Sequence, residues 1–314
     1  MKKNFVNSEF IEGRLYQHNL VIKQVKNEQS ANFGKDFISG TIDVATDEEG
    51  LNVIPVHFTY VTEMTNAGKI NATYTNLKNI INGARTWITD GKDMALRIRV
   101  NTALGLNDFY NQDGELISAK RNEGGFVSTV KDLVPEEERN SFKCDMIITS
   151  ATRVEADPEN GVESDFVRVK GGVFDFRKSL LPVEFVCRDE GGMGYFESLG
   201  ASAANPVFTE VRGKIVSNTI KKEIEEESAF GTASVRTVTR TVREWQITWA
   251  RPTEYDFGAE DTITAEELKK AMEDRQVYLA SVKKNHDDYI ASRAATAAKP
   301  ADNAMNVPTG DFDF

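Results

Sequence analysis

Residues that commonly carry chemistry are sparse in this chain. The three histidines, His18, His57 and His286, have no metal-ligand spacing, and Cys144 and Cys187 form no CxxC pair, so nothing in the pattern favours a zinc site. The glycine runs "EGG" at 123–125 and "EGGMG" at 190–194 lack the Lys-Ser/Thr of a phosphate-cradling loop and the flanking elements of a dinucleotide fold. No serine sits in a G-x-S-x-G elbow. Carboxylates are abundant, but no two stand out as an acid/base couple. Asp43 and Asp175 recur in similar strings, "GTIDV" and "GVFDF", which suits a structural task such as bonding turn amides better than catalysis. The expectation is a non-enzymatic chain with no cofactor and no metal.

Binding residues are more informative. An unpaired polynucleotide needs cations for its phosphates and aromatic faces for its bases. Arg97 and Arg99 alternate with Leu96, Ile98 and Val100 in "MALRIRV", and so point away from a core. Phe109, Tyr110, Lys120 and Arg121 cluster in "NDFYNQDGELISAKRNEGGF", with Phe109 and Tyr110 beside a turn as the best stacking candidates. Further on, Arg177 and Lys178 mark a hairpin, Arg212 and Lys214 take an outward phase, and Arg236, Arg240 and Arg243 run along a late strand. Phe58, Phe174, Phe176 and Phe185 read as core fillers, as do Trp245 and Trp249, which share a phase with Ile247.

The charge balance works against this idea without ending it. The 38 Lys and Arg are outnumbered by 49 Asp and Glu, for a net charge of -11. Within Val207–Arg251, however, basic residues outnumber acidic ones, and local field decides whether a groove attracts phosphate. No stretch approaches the roughly 20 apolar residues of a spanning helix, and "MKKNFVNSEF" lacks an apolar leader core. No membrane partner is expected, and the two cysteines read as buried thiols in a reducing cytosol, where a virus-encoded protein would look the same.

Period-two alternation dominates the elements that must position these residues. In "LNVIPVHFTYV" Ile54, Val56, Phe58 and Tyr60 share one phase. Strands are expected over about 10–26, 35–46, 51–62, 92–110 and 116–130, with a helix over 74–82 closed by Gly83. Five strands with a helix between the third and fourth is the element order of an OB-fold. The second half repeats the order: "VIPVHF" is echoed by "LLPVEF", and helical "NLKNIING" by "MGYFESLG". The expected fold is therefore all-β: a first OB-fold barrel over 1–134 and a second over 140–252. A linker and C-terminal helix follow over 253–295, then a disordered acidic tail over 296–314. Gly, Asp and Pro punctuate any all-β chain, so another two-part sandwich or barrel stays open. The helix begins on a Thr264/Glu267 capping box. Its stripe of Leu268, Met272, Leu279, Val282 and Tyr289 either packs on a barrel or pairs with a second copy, which leaves a homo-oligomer open.

With the barrel order, the "LGLNDFYNQDGE" hairpin, the linker and the terminal "GDFDF", the chain resembles OB-fold single-stranded-DNA-binding proteins of bacteria and their phages. More narrowly, it is similar to long tandem-barrel proteins encoded by phages of low-GC bacteria. The resemblance implies a coating role in DNA replication or recombination. It also implies a tip, Asp311, Phe312, Asp313 and Phe314, that hooks replication or repair enzymes. Here the acids alternate with the rings, and Pro308 lies further back than in the usual tip. Two other readings remain: a structural virion or assembly protein built from β-barrels, and an RNA- or oligosaccharide-binding OB module.

Overall fold

The computed structural model describes residues 5–65, 67–158, 162, 164–226, 234–252 and 262–297, with backbone alone for 218–226, 234–240, 242, 265 and 294–297. The chain is mostly β-sheet with a long C-terminal helix. Its first strands are β1 (Asn7–His18), β2 (Val21–Gln24), β3 (Asp36–Ala45) and β4 (Val53–Thr62). After helices α1 (Ala72–Ile81) and α2 (Trp87–Asp90) come β5 (Arg97–Tyr110) and β6 (Leu116–Thr129). The second half carries β7 (Asn140–Val154), β8 (Phe166–Phe174), β9 (Leu180–Cys187), α3 (Glu190–Ser198), β10 (Val207–Glu226) and β11 (Ser234–Ala250), and ends in α4 (Ala265–Ala297).

Pairing closes two rings. β1 pairs antiparallel with both β3 and β5, β5 with β6, and β3 with β4, while β4 and β6 run parallel. In the same pattern β7 pairs with β8 and β10, β8 with β9, and β10 with β11, while β9 and β11 run parallel. β1 also pairs with β7 from Asn7↔Cys144 to Ile11↔Asn140, so one 11-stranded sheet runs through both rings. Alternate residues point inward and merge into a single apolar cluster, which includes Ile11, Ile42, Val56 and Val100 from the first ring and Met146, Val169, Phe185 and Ile247 from the second. Each ring is plugged by the helix between its third and fourth strands. α1 inserts Tyr74, Leu77 and Ile80 on one face, and α3 inserts Met193 and Phe196. Asn71 caps α1 by accepting from the Thr73 amide, and Asp189 caps α3 by accepting from that of Gly192.

Several sequence expectations shift in the details. The strand expected over 10–26 breaks at Asn19, whose side chain accepts from the Thr41 amide at 2.6 Å. There Gly40 has a φ of 136° and no room for a Cβ beside the Asn19 carbonyl, so β2 turns off as an edge strand paired only with β3. The strand expected from 92 starts at Arg97, because α2 and the turn after it occupy 87–96. The "GTIDV"/"GVFDF" echo does not hold in register: Pro55 faces Asp43, whereas Pro182 faces Gly172. Asp175 does bond turn amides, those of Arg177 and Ser179, but Asp43 accepts from the Gln17 side chain instead. Phe58, Phe174 and Phe185 are core, while Phe176 is 86 % exposed. Trp245 is buried and Trp249 is 40 % exposed.

The Thr264/Glu267 capping box forms in both directions. The helix it starts packs on Phe174, Leu180 and Ile147 through Leu268 and Ala271, then reaches β5 through an ion pair from Arg275 to Asp108 at 2.5 Å. The buried stripe is thus rotated from the expected one, leaving Met272 and Tyr289 outside. A buried arginine claims the position that hydrophobic periodicity assigns to an apolar residue.

Candidate nucleic-acid interface

The outer faces of β3 and β4 carry an aromatic pair. Phe37 and Tyr60 lie on adjacent strands with ring centroids 4.7 Å apart, and Tyr60 is 46 % exposed. β2 and the residues after it wall a cleft of about 650 Å³ beside them, lined by Lys23, Gln24, Val25, Lys26, Asn27, Phe37 and Tyr60. Lys23 and Lys26 are exposed, and among the described residues neither is ion-paired. Rings next to unpaired cations in a concave, open cleft are what stacking and phosphate contact require. Sequence reading missed this site because Tyr60 shares its phase with the core residues Ile54, Val56 and Phe58. A register irregularity between Ile38 and Gly40 in β3 marks where the phase is lost.

Further along the same strands, Thr41 and His57 share a hydrogen bond of 3.1 Å. Burial lowers the His57 pKa; the charges of Arg121 and Arg243 act in the same direction, and those of Glu123 and Asp43 oppose them. Those two arginines come from different rings, Arg121 from β6 and Arg243 from β11. Arg243 is exposed. Arg121 is ion-paired to Glu123 at 2.5 Å. Next on β6, Lys120 bridges the rings: its ammonium donates to the Glu184 carbonyl and lies 4.9 Å from the Trp245 ring centre. Burial lowers its pKa against the charges of Glu184 and Glu244.

The remaining sequence-selected residues are dispersed. Arg97 donates to the Lys131 carbonyl at 2.6 Å. Arg99 bonds Glu12, which is fully buried and also accepts from the Val134 amide. Tyr110 lies under α4, 5.7 Å from both the His286 ring and the Lys283 ammonium, while its neighbour Phe109 is exposed. Arg212 is exposed, sits over Trp249 and is paired to Glu210, which also binds Lys143 and Arg251. Lys214 is half-buried near Glu137 and Glu138, and burial lowers its pKa. Arg177 and Lys178 stand at the exposed β8–β9 turn. The side chains of Arg236 and Arg240, and the tip Asp311, Phe312, Asp313 and Phe314, lie outside the described residues.

One buried carboxylate ties the rings together. Glu9 on β1 accepts from the Thr102 hydroxyl at 2.7 Å and the Trp245 indole at 2.8 Å. Burial raises its pKa to about 7 against the pull of those two bonds. Both cysteines are buried free thiols, with pKa values raised by burial. Among the described residues no His, Cys, Asp or Glu cluster could hold a metal ion, and no helix is long and apolar enough to cross a membrane.

No curated protein matches this chain. Among solved structures it is similar to a deletion mutant of the single-stranded DNA binding protein from Thermus aquaticus. That likeness has 13 % identity and a TM-score of 0.47, over 83 % of this chain and all of the other. A family model described as YorF matches residues 10–285, and by that match the chain belongs to the YorF family.

Proposed function

We propose that this chain is a non-enzymatic single-stranded-DNA-binding protein whose two strand rings are OB-type barrels in tandem. Each ring has the strand order, the parallel third-to-fifth pairing and the intervening helix of that fold. The observation that carries the reading is the Phe37/Tyr60 pair beside a cleft rimmed by the unpaired Lys23 and Lys26. Bases stack on the pair while phosphates meet the lysines. From there the strand runs past His57, Arg121 and Arg243 toward the second ring. The role is in DNA replication or recombination, in the cytoplasm. The Asp311–Phe314 tip offers acids and aromatic rings to a basic, apolar-floored pocket on a partner enzyme.

Fluorescence titration with oligo-dT at two salt concentrations tests the reading. A site neutralising about four phosphates loses roughly fifty-fold in affinity between ~50 and ~200 mM salt. Duplex of equal length binds far more weakly, because its bases cannot reach the rings. Equal affinity for both, or no binding at low salt, overturns the proposal. Deleting Gly310–Phe314 leaves oligo-dT affinity unchanged or higher and removes pull-down of a helicase, primase or nuclease. Weaker DNA binding after that deletion contradicts the hook.

A further inference from the structure

We infer that the β8–β9 turn is a rigid post on which Phe176 stacks an unpaired base, a second contact separate from the Phe37/Tyr60 cleft. The inference rests on the single-stranded-DNA reading above. Phe176 is 86 % exposed, more than any other large hydrophobic among the described residues. The turn that holds it is heavily fixed. The Asp175 carboxylate accepts from the Arg177 and Ser179 amides, each at 2.8 Å, and the Asp175 carbonyl accepts from the Lys178 amide at 2.9 Å. Lys178 has a φ of 65°, the only positive value at a non-glycine residue among those described, and strain of that kind persists only where its surroundings impose it. The base of the turn is anchored too. Phe174 and Leu180 are buried against Leu268 and Ala271 of α4, and Phe5 stacks on Phe174 at 4.6 Å.

The fixed turn holds the Phe176 ring out to solvent, within reach of a planar partner. The Arg177 guanidinium carbon lies 5.1 Å from the Phe176 ring centre. It places a positive charge beside the ring. One ring with a cation at its side suits a base and its flanking phosphate. A bilayer contact would call for several exposed apolar groups, and here Phe174 and Leu180 are turned inward beneath α4.

The test uses the full chain and its Phe176→Ala and Phe176→Trp variants. Probes are a long oligo-dT, an oligo-dT short enough to occupy one ring alone, and a long abasic sugar-phosphate oligomer. Phe176→Ala should weaken long oligo-dT binding about five-fold or more, leave the short oligomer unchanged and leave the abasic oligomer unchanged. Phe176→Trp should restore affinity. If wild type binds long oligo-dT and Phe176→Ala binds it equally, the post is wrong and the DNA reading stands. An equal loss on the abasic oligomer also overturns it, by showing that no base is stacked. If Phe176→Ala instead loses binding to phosphatidylserine vesicles while oligo-dT binding is unchanged, the tip is a lipid contact and the inference fails. If wild type binds no oligo-dT at all, the reading and the inference fall together.

Discussion

The two rings share a strand plan and differ in what their outer faces leave available. On β3 and β4 of the first ring, Phe37 and Tyr60 lie against each other at a tilt of 43° and the nearby Lys23 and Lys26 have no carboxylate partner among the described residues. On β8 and β9 of the second, the ring is Phe166, and it is buried. Arg188 and Arg168 lie 4.9 and 5.9 Å from its centre. Both arginines are committed as well, Arg188 to Glu244 at 2.8 Å and Arg168 to Glu184 at 2.9 Å, with Lys170 sharing Glu184. The second face is the richer in arginine and the poorer in free charge. Counting cations therefore misplaces an anion site, and the useful quantity is charge left over after local pairing.

The contrast can be tested, beginning with what joins the rings. Glu9 ties β1 to Trp245 of the second ring, and burial lifts its folded pKa to about 7 from an unfolded value near that of free glutamate. Between those values the folded state holds more protons than the unfolded one, so stability falls as pH rises through the window, by about 3 kcal/mol in all. Chemical denaturation from pH 4.5 to 8 should show that fall in a single transition, and Glu9→Gln should flatten it. Two transitions, only one of them pH-dependent, would mean that the rings unfold independently.

Next in size is the aromatic contrast. Phe37→Ala combined with Tyr60→Ala should weaken oligo-dT by about ten-fold or more, since each stacked base is worth about 1–3 kcal/mol. Phe166→Ala should lower the melting temperature and leave affinity nearly unchanged. The reverse pattern would move the binding face to the second ring. A smaller effect is expected from Lys23→Gln with Lys26→Gln, which should flatten the log-affinity against log-salt slope by about 1.4, at about 0.7 per lost phosphate contact. An unaltered slope would show that these lysines do not meet phosphate. Smallest is Glu184→Gln: by loosening Arg168 and Lys170 it should strengthen oligo-dT binding two- to three-fold at low salt. No gain would mean that the second face is unused even when its cations are freed.

A side chain is legible in the sequence when its partners lie nearby in the chain. Strand order, both plugging helices and the Thr264/Glu267 box were legible because alternation, capping and helix periodicity are set by neighbours a few residues apart. Arg97 and Arg99 alternate with the buried Ile98 and Val100, as the periodicity expects. That Arg99 closes on Glu12, which lies 87 residues earlier, was not legible. Nor was the exposure of Phe176, which reads as a core filler but lies two residues beyond the end of β8, where alternation no longer applies.

By itself, the sequence determined that the chain alternates in and out over two matched sets of strands, each interrupted by one amphipathic helix. Backbone propensity and the burial of alternate residues are local or additive, and they survive without knowledge of the fold. Only the tertiary structure decided which outward cations are neutralised and which rings reach solvent. Those outcomes depend on pairs such as Arg188 with Glu244 and Lys120 with the Glu184 carbonyl, 56 and 64 residues apart in the chain. Contacts at that range form only when a ring closes or when one ring packs against the next.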